Sequence, residues 1–544
     1  MDRNDNCLES TVFDRTLTCE LNDEIVLPDY MPPISRVISA DATAAPPSRY
    51  VSGSEAEFAG NVRYRLLYES APDKENNTPG GLWCAESTSE YDVSVKRDDN
   101  GSSDFGDYSS SPSDFVTVAS ANTENVSARV TAPRRVTLKC RVRVRAKMYG
   151  KKEYAMTCRG SAPENSIRRL SGSGFTPVTL SGISDPIELQ DNLTPDMLPA
   201  GKGEIRVITC GGNLFISDVN DTGTSANCRG DAELKLLLCR EGEGERPFAV
   251  TRRIPFSTEI LYDTSAGEGL KTDGARCWGA VTQTSASVED GNVICSATIM
   301  ICAEAAGTGE FGCVRDVYSC EVNSETARKK LPSCRPVGIF NGNATVSGSE
   351  ELKKVVSDPG VRIVSAEAVP MPDPVFSAEI GTNCSVSLAG KLKCTVITDN
   401  GAEMSSGEFE IPYKYTADLP ELRGAKDADV TGNAEVGAVS CKCRIDGDRI
   451  TADCEIWVAM RVNAESEINA VSEVNFGTPR KDPIHGGGRN RGITVCYPGP
   501  DDTLWSVAKR YGADTDKVAA ENGLTPSPDP DTVASLTGTD FLII

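Results

Sequence analysis

Twenty cysteines and one histidine are the residues of this chain with the widest choice of chemistry. His485 stands beside a run of three glycines, so a Ser–His–Asp triad, a Cys–His pair or a histidine-based metal site would each depend on this single residue. The phosphate-binding pattern GxxxxGK[ST] does not occur. We therefore expect a non-enzymatic protein with no catalytic residue and no cofactor.

The cysteines stand mostly as single small apolar residues inside strand-like segments, as Cys140, Cys394 and Cys454 do. Cys441 and Cys443 are two apart, so on a strand they share one face. A zinc site is expected to use CxxC pairs, and the sequence has none. We predict buried, reduced thiols and no metal site.

Lysine and arginine alternate with apolar residues in one predicted strand. On a strand this places the cations on one face and the apolar residues on the other. The cationic face is interpreted either as an outer surface balanced by acids on neighbouring strands or as a docking strip for an acidic partner or an anionic membrane. The cations are Lys139, Arg141, Arg143, Arg145 and Lys147.

The net charge of −23 disfavours binding to nucleic acids and general adsorption to anionic membranes. No segment reaches the ~18 uninterrupted apolar residues of a membrane span. The first residues lack the basic and apolar regions of a secretory signal. We expect the chain to stay in the compartment where it is made and to have no transmembrane segment.

Internal repeats indicate how the elements are arranged. The tetrapeptide RVIS at 36–39 recurs as RVIT at 206–209 and as RIVS at 362–365. Each copy is followed by an apolar strand around a glycine and closes with a long alternating strand. The glycines are Gly60, Gly230 and Gly390, and the closing strands begin near Arg135, Asn292 and Arg449.

This pattern predicts a mainly β protein with three repeated antiparallel β domains. Asp290-Gly291 and Asp446-Gly447 supply turn chemistry before two of the closing strands. The predicted divisions are an N-terminal segment 1–22, repeats at 23–150, 178–308 and 314–463, a flexible linker 464–491 and a compact unit 492–544.

The last unit, ITVCYPGPDDTLWSVAKRYGADTDKVAAENGL from Ile493 onward, resembles a LysM domain, a small α/β fold with the order βααβ. Asp502 is placed to cap the first helix and Asn522-Gly523 to end the second. The resemblance implies a groove for N-acetylglucosamine polymers, although the turn before Asp502 is lengthened. The unit carries three basic and eight acidic residues (3 − 8 = −5), which favours a protein partner with a basic patch.

The residues carried over from the groove are the candidate contacts with a partner or a glycan. Substitutions at Thr503 or Asn522 are expected to leave the fold intact. The candidate residues are Asp502, Thr503, Leu504, Asn522, Gly523 and Leu524.

The segment DEIVLPDYMPPISRVISADA at 23–42 resembles the start of a SPOCS domain. SPOCS repeats followed by LysM resemble the SipL and SpoVID type of spore coat morphogenesis protein. That resemblance implies a scaffold, with possible self-association, in the mother-cell cytoplasm at the forespore surface. Its LysM domain would recruit the basement-layer coat ATPase (SpoIVA-like). The alternative is a cell-wall protein whose LysM domain binds peptidoglycan or chitin, and the missing export signal argues against it.

Overall fold

The computed structural model confirms a mainly β protein built from several antiparallel sheets. It describes residues 7–52, 55–71, 80–96, 115–241, 246–263, 272–356, 360–381, 383–401, 403–425, 428–480, 493–499, 501–524 and 541–544. Within these ranges the strands form three two-sheet units, followed by a small module that contains two helices.

Unit 1 (residues 7–153) packs a three-stranded sheet against a four-stranded one around a shared apolar core. In the first sheet β7 lies between β1 and β6, and in the second β4 pairs with β2, β3 and β5. The strands are β1 (Cys7–Val26), β2 (Ile34–Ala44), β3 (Ser48–Val51), β4 (Glu55–Ser70), β5 (Leu82–Lys96), β6 (Phe115–Ala132) and β7 (Arg135–Glu153).

Unit 2 (residues 167–319) has the same two-layer arrangement. The long strand β15 pairs with β9, β10 and β14, and β12 lies between β11 and β13. The short strand β8 (Thr157–Arg159) precedes the unit, and its strands are β9 (Ile167–Ile183), β10 (Ile187–Leu193), β11 (Ile205–Asp221), β12 (Ser225–Arg240), β13 (Phe248–Leu261), β14 (Gly274–Glu289) and β15 (Asn292–Ser319).

Unit 3 (residues 322–479) places β22 between β16 and β21, with β8 added in parallel to the end of β22. Its second sheet is centred on β19, which pairs with β17, β18 and β20. The elements are β16 (Val322–Glu351), α1 (Leu352–Val355), β17 (Arg362–Pro370), β18 (Val375–Glu379), β19 (Ser385–Asp399), β20 (Met404–Asp418), β21 (Asp429–Asp446) and β22 (Arg449–Pro479). Short 3-10 helices lie at Glu164–Ser166, Pro195–Met197 and Pro420–Gly424.

The C-terminal module (residues 493–544) has the order strand, helix, helix, strand around its own apolar core. Its elements are β23 (Val495–Cys496), α2 (Leu504–Tyr511), α3 (Thr515–Glu521) and β24 (Leu542–Ile543). None of the helices in the described ranges has the length and apolar composition needed to cross a bilayer.

The repeated tetrapeptides lie where the three units meet. In each copy the pairing register shifts at the third residue, a β-bulge at Ile38, Ile208 and Val364. A bulge re-aims a side chain, and these three side chains join one buried cluster shared by all three units. The hydroxyl residues that follow, Ser39, Thr209 and Ser365, line a cavity of about 30 Å³ beside that cluster.

The arginines of the tetrapeptides close the three units into a ring. Arg36 of unit 1 donates to the Met404 carbonyl oxygen of unit 3 at 2.8 Å, and Arg362 of unit 3 donates to the Pro247 carbonyl oxygen of unit 2 at 2.8 Å. The third contact runs from unit 2 back to unit 1, where Arg206 donates to the Leu82 carbonyl oxygen. Head-to-tail contacts that come back to their start form a closed ring.

The repeated glycines each lie opposite an aromatic residue on the neighbouring strand. Gly60 pairs with Tyr91 and Gly390 with Tyr413. A Cβ atom at Gly60 would stand 2.7 Å from the Tyr91 hydroxyl oxygen, and one at Gly390 2.6 Å from that of Tyr413. Only glycine leaves room for the ring to lie across the strand.

Two of a second set of three corresponding positions, Glu304 and Arg461, meet deep in the ring. Lys147, Glu304 and Arg461 each stand twelve residues after the start of their strand (147 − 135, 304 − 292 and 461 − 449). The Arg461 Nη1 atom lies 2.5 Å from Glu304 Oε1, and Arg276 Nε lies 2.8 Å from Glu304 Oε2. The side chains of Arg461, Glu304 and Arg276 are each only 1% exposed. Their charges are therefore stabilised by one another instead of by water.

The predicted divisions of the chain need correction at several places. Strand β1 lies largely in the segment that we assigned to 1–22, and pairs along β7. Strand β22 continues to Pro479 through residues predicted as linker, because it pairs with the first half of β16. Strands β9 and β15 extend unit 2 beyond 178–308. The rest of the predicted linker, 481–491 with His485, lies outside the described residues.

Candidate functional site

Helix α2 of the C-terminal module is fixed at both ends by local hydrogen bonds. The Thr503 hydroxyl accepts from the Ser506 backbone N–H at 3.1 Å, and the Ser506 hydroxyl accepts from the Thr503 N–H at 2.9 Å. This capping box satisfies donors that a helix start leaves free. Gly512, with φ of 66°, ends the helix. The cap is therefore Thr503, and the prediction that Asp502 caps this helix is wrong.

Asp502 instead fixes the turn before the helix. Its carboxylate accepts from the Gly499 N–H at 2.9 Å and forms an ion pair with Arg510. These two contacts, the backbone hydrogen bond first, lower the pKa of Asp502. The side chain thus holds the turn before α2 against Arg510 of that helix.

Asn522 ties α3 to the closing strand β24. Its amide group donates to the carbonyl oxygens of Val518 at 2.8 Å and Ile543 at 2.7 Å, and accepts from the Ile543 N–H at 2.8 Å. Both Thr503 and Asn522 therefore serve backbone groups, so we now expect substitutions at these positions to weaken the module.

The remaining groove positions also have structural roles. Leu504 is buried in the module core, and Leu524 packs against that core. Gly523 has φ of 66°, which glycine tolerates best. The structure brings the predicted positions to the start of α2 and the end of α3. Their contact with a partner stays a prediction.

The module is docked onto the end of β15 in unit 2 through an acidic residue that the sequence analysis did not single out. Asp316 accepts from the Trp505 indole N–H at 2.8 Å and from the Lys509 ammonium at 2.7 and 2.8 Å. Burial acts to raise the pKa of Asp316, but the hydrogen bonds from Lys509 and Trp505 outweigh it and lower that pKa. Trp505 and Lys509 are four residues apart, so they lie on one face of α2.

Tyr318, two residues after Asp316 on the same strand, extends the docked surface. Its hydroxyl lies 2.8 Å from the Ala513 carbonyl oxygen and 2.9 Å from the Thr515 hydroxyl. Its ring meets the Trp505 ring edge-on with centroids 4.9 Å apart. Aromatic contacts of this kind stabilise by about 1 kcal/mol beyond area burial.

Two arginines complete the contact. Arg168 of β9 forms an ion pair with Asp514, the N-cap residue of α3. Arg480, directly after β22, donates to the Ser319 carbonyl oxygen at 3.1 Å and the Lys509 carbonyl oxygen at 3.3 Å. The module is thus held by unit 2 and by Arg480, which directly follows unit 3, through residues other than those of the predicted groove.

The predicted basic strip of β7 alternates as expected, with Leu138, Val142 and Val144 buried on the opposite face. Acids of neighbouring strands, and one acid of unit 3, pair with several of its cations, as expected for a balanced outer face. The pairs are Arg141 with Glu20 at 2.7 Å, Arg143 with Glu124 at 3.3 Å and with Asp373, and Lys147 with Asp14 at 3.4 Å. Lys139 is exposed and Arg145 lines a cavity beside Glu435. Docking of an acidic partner on this strip stays a prediction.

A cleft of about 350 Å³ opens among the three units. Its cations are already bonded within the protein. Arg65 donates to both carboxylate oxygens of Glu367 at 3.0 Å, and Lys235 donates to the Ala366 carbonyl oxygen at 2.6 Å. These bonds join the units, so we assign the cleft a structural role.

No family model, curated protein or solved structure matches this chain. Functional inference therefore depends on the geometry of the docked module, on the ring and on the motifs of the sequence.

Proposed function

We propose that this protein is a non-enzymatic structural adaptor of spore coat assembly. Its three units are SPOCS-like repeats that form the scaffold, and its C-terminal module is a LysM domain that recruits the basement-layer ATPase at the forespore surface. The observation that carries the proposal is the docking of the module on Asp316. An adaptor has to hold its recruiting surface in a defined position relative to its scaffold.

The ring supports the scaffold half of this proposal. Three separate arginine contacts return to their starting unit, and the bulged side chains fill the shared centre. The ring is thus closed by contacts within one chain. The outer faces of the sheets then remain for neighbouring proteins of a coat.

The charge of the module supports a protein partner over a glycan. With three basic and eight acidic residues, the module would attract and orient a partner protein that has a basic surface. Neutral sugar polymers gain little from its negative electrostatic field. Docking uses Trp505 and Lys509, while the predicted groove consists of residues 502–504 and 522–524. Recruitment and docking can therefore be separated by substitution.

The test is a fluorescent fusion of the full chain imaged through sporulation, with Asp316→Ala beside the wild type. We expect a shell around the forespore for the wild type. Asp316→Ala removes the acceptor of both Trp505 and Lys509 without altering the module, so we expect a weaker or uneven shell. Glu467→Ala, which removes an exposed ion pair with Lys330 in unit 3, is the matched control and should behave as wild type.

A uniform cytoplasmic signal with no forespore shell would contradict the adaptor proposal. Binding of the purified full chain to peptidoglycan or chitin oligomers, with no affinity for the coat ATPase in a pull-down, would instead support the wall-binding alternative.

A further inference from the structure

Four cysteines of unit 3 converge between its two sheets. Cys441 on β21 lies directly opposite Cys454 on β22, and Cys443 follows on the same face of β21. Cys394 reaches the group from β19 in the other sheet. The Sγ atoms of Cys394, Cys441 and Cys454 all lie within 4.8 Å of one another, and Cys443 lies at the edge of this group beside Cys441.

Two of the six distances among these sulfur atoms match the edge length of a tetrahedral metal site. Zinc–sulfur bonds of about 2.3 Å in a tetrahedron place neighbouring sulfurs about 3.8 Å apart. The Sγ atoms of Cys394 and Cys454 are 3.9 Å apart, and those of Cys441 and Cys443 are 3.7 Å apart. A disulfide would require about 2.0 Å.

Packing of a sandwich core does not by itself require cysteines at these positions. Four residues after the repeated glycine, unit 1 has Tyr64 and unit 2 has Leu234 where unit 3 has Cys394. Five residues into the closing strand, unit 1 has the single Cys140 and unit 2 has Ala297 where unit 3 has Cys454. The corresponding core sites of the other units are filled without a group of thiols.

The surroundings suit a bound cation with thiolate ligands. Cys394 and Cys454 are fully buried and Cys441 nearly so, which keeps water from competing, while Cys443 is half-buried and offers a route for entry. The Lys235 ammonium of unit 2 acts electrostatically on this group. It would offset part of the negative charge that four thiolates bring to one ion.

We propose that Cys394, Cys441, Cys443 and Cys454 form a site for a single tetrahedral divalent ion, of which Zn²⁺ fits the four sulfur ligands best. The thiols release their protons to solvent as the ion binds. The ion would fasten the β19 sheet to the β22 sheet and stabilise unit 3, a role independent of spore coat assembly.

The prediction of no metal site depended on CxxC pairs, and this cluster has none. Its ligands come from three strands, and Cys394 is 60 residues from Cys454. The sequence feature that could have indicated the site is the Cys441–Cys443 pair, whose spacing places both thiols on one face of a strand.

The test is metal analysis of the purified full chain, followed by removal of metal with a chelator and titration with Co²⁺. We expect one ion per chain and the visible absorption bands of cobalt in a tetrahedral thiolate site, displaced on adding Zn²⁺. Cys454→Ala should lose these bands. Cys140→Ala is the matched control, because Cys140 holds the corresponding position in unit 1 (140 − 135 = 5 and 454 − 449 = 5) and is equally buried.

Absence of tetrahedral cobalt bands in the wild type would overturn the proposal, as would equal binding by both variants or a disulfide among the four cysteines. If Cys454→Ala fails to fold, the half-buried Cys443→Ser decides the question. The chelator should lower the melting temperature of the wild type and leave that of Cys443→Ser unchanged, and equal lowering in both would overturn the site.

Discussion

The guanidinium group of Arg206 in unit 2 donates to the backbone carbonyl oxygen of Leu82 in unit 1, with an Nη1–oxygen distance of 3.1 Å. The same guanidinium lies over the Trp83 ring, 4.9 Å from its centroid. This contact closes the ring of three units, and it comes from the first residue of a tetrapeptide that recurs in the sequence.

Replacing Arg206 with Gln should destabilise the ring by about 2 kcal/mol, because a charge-assisted hydrogen bond between units is lost. Urea unfolding followed by circular dichroism measures the change. Arg444→Gln is the control, since Arg444 is 58% exposed and pairs only with acids of its own unit in the described structure. That variant should change the free energy of unfolding by less than about 0.5 kcal/mol. Equal effects of the two variants would contradict the ring contact.

Glu304→Gln should be far more damaging, at about 3–5 kcal/mol, because it leaves two buried guanidinium groups without a counter-charge. Burial acts to raise the pKa of Glu304, but Arg276 and Arg461 hold it at about 2. Since this pKa is lowered on folding, its stabilising contribution is present above the ordinary value of 4.5 and is lost as the pH falls towards 2.

Thermal unfolding of wild type and Glu304→Gln between pH 2 and pH 7 tests this. The difference in stability should shrink steadily below pH 4.5. A difference that does not depend on pH would show that the carboxylate charge is unimportant.

Glu9 should show the opposite dependence on pH. Burial raises its pKa from 4.5 to about 7, against hydrogen bonds from the Thr179 N–H at 3.1 and 3.2 Å. Between these values the folded chain keeps a proton that the unfolded chain has lost, so stability falls as the pH rises through this window. Glu9→Gln should remove that slope and be more stable than wild type above pH 7, by at most about 3 kcal/mol.

The measurement is the midpoint of urea unfolding from pH 4 to pH 8. Glu153→Gln, which alters an exposed carboxylate at the end of the paired strand β7, should follow the wild-type curve. A Glu9→Gln curve parallel to wild type would contradict the buried proton.

Asn522→Ala should loosen the C-terminal module by about 2 kcal/mol, since three hydrogen bonds to backbone groups are lost. Hydrogen exchange of the Ile543 amide reports it directly, because that N–H donates to the Asn522 side chain. We expect faster exchange there, while Lys517→Ala, an exposed change on the same helix, leaves it unaltered. Unchanged exchange of the Ile543 amide in Asn522→Ala would mean that these hydrogen bonds do not stabilise the module.

The strand class of the chain could be read from its sequence, because the alternation of apolar and polar residues is a local property with a period of two. The turns before two closing strands were also predicted, and Asp290, Gly291 and Gly447 do adopt positive φ. Local backbone preference decides such turns, so no distant contact is needed to find them.

The ends of the long strands were missed because their pairing is remote. Residues 464–479 are rich in Ala, Ser, Glu and Asn and have the composition of a linker. They form a strand because residues 322–335 lie alongside and complete their hydrogen bonds. A strand without strong periodicity takes its identity from its neighbour.

The sequence by itself therefore determined the β class, the repeated motifs and the helical segments of the last module. Only the tertiary structure decided that the motifs meet at one centre, that Asp316 meets Trp505 across 189 residues, and that Cys394 joins cysteines of the other sheet. The physical reason is that periodicity records which face of an element is apolar. It does not record which other face will cover it, and that choice depends on packing among elements far apart in the chain.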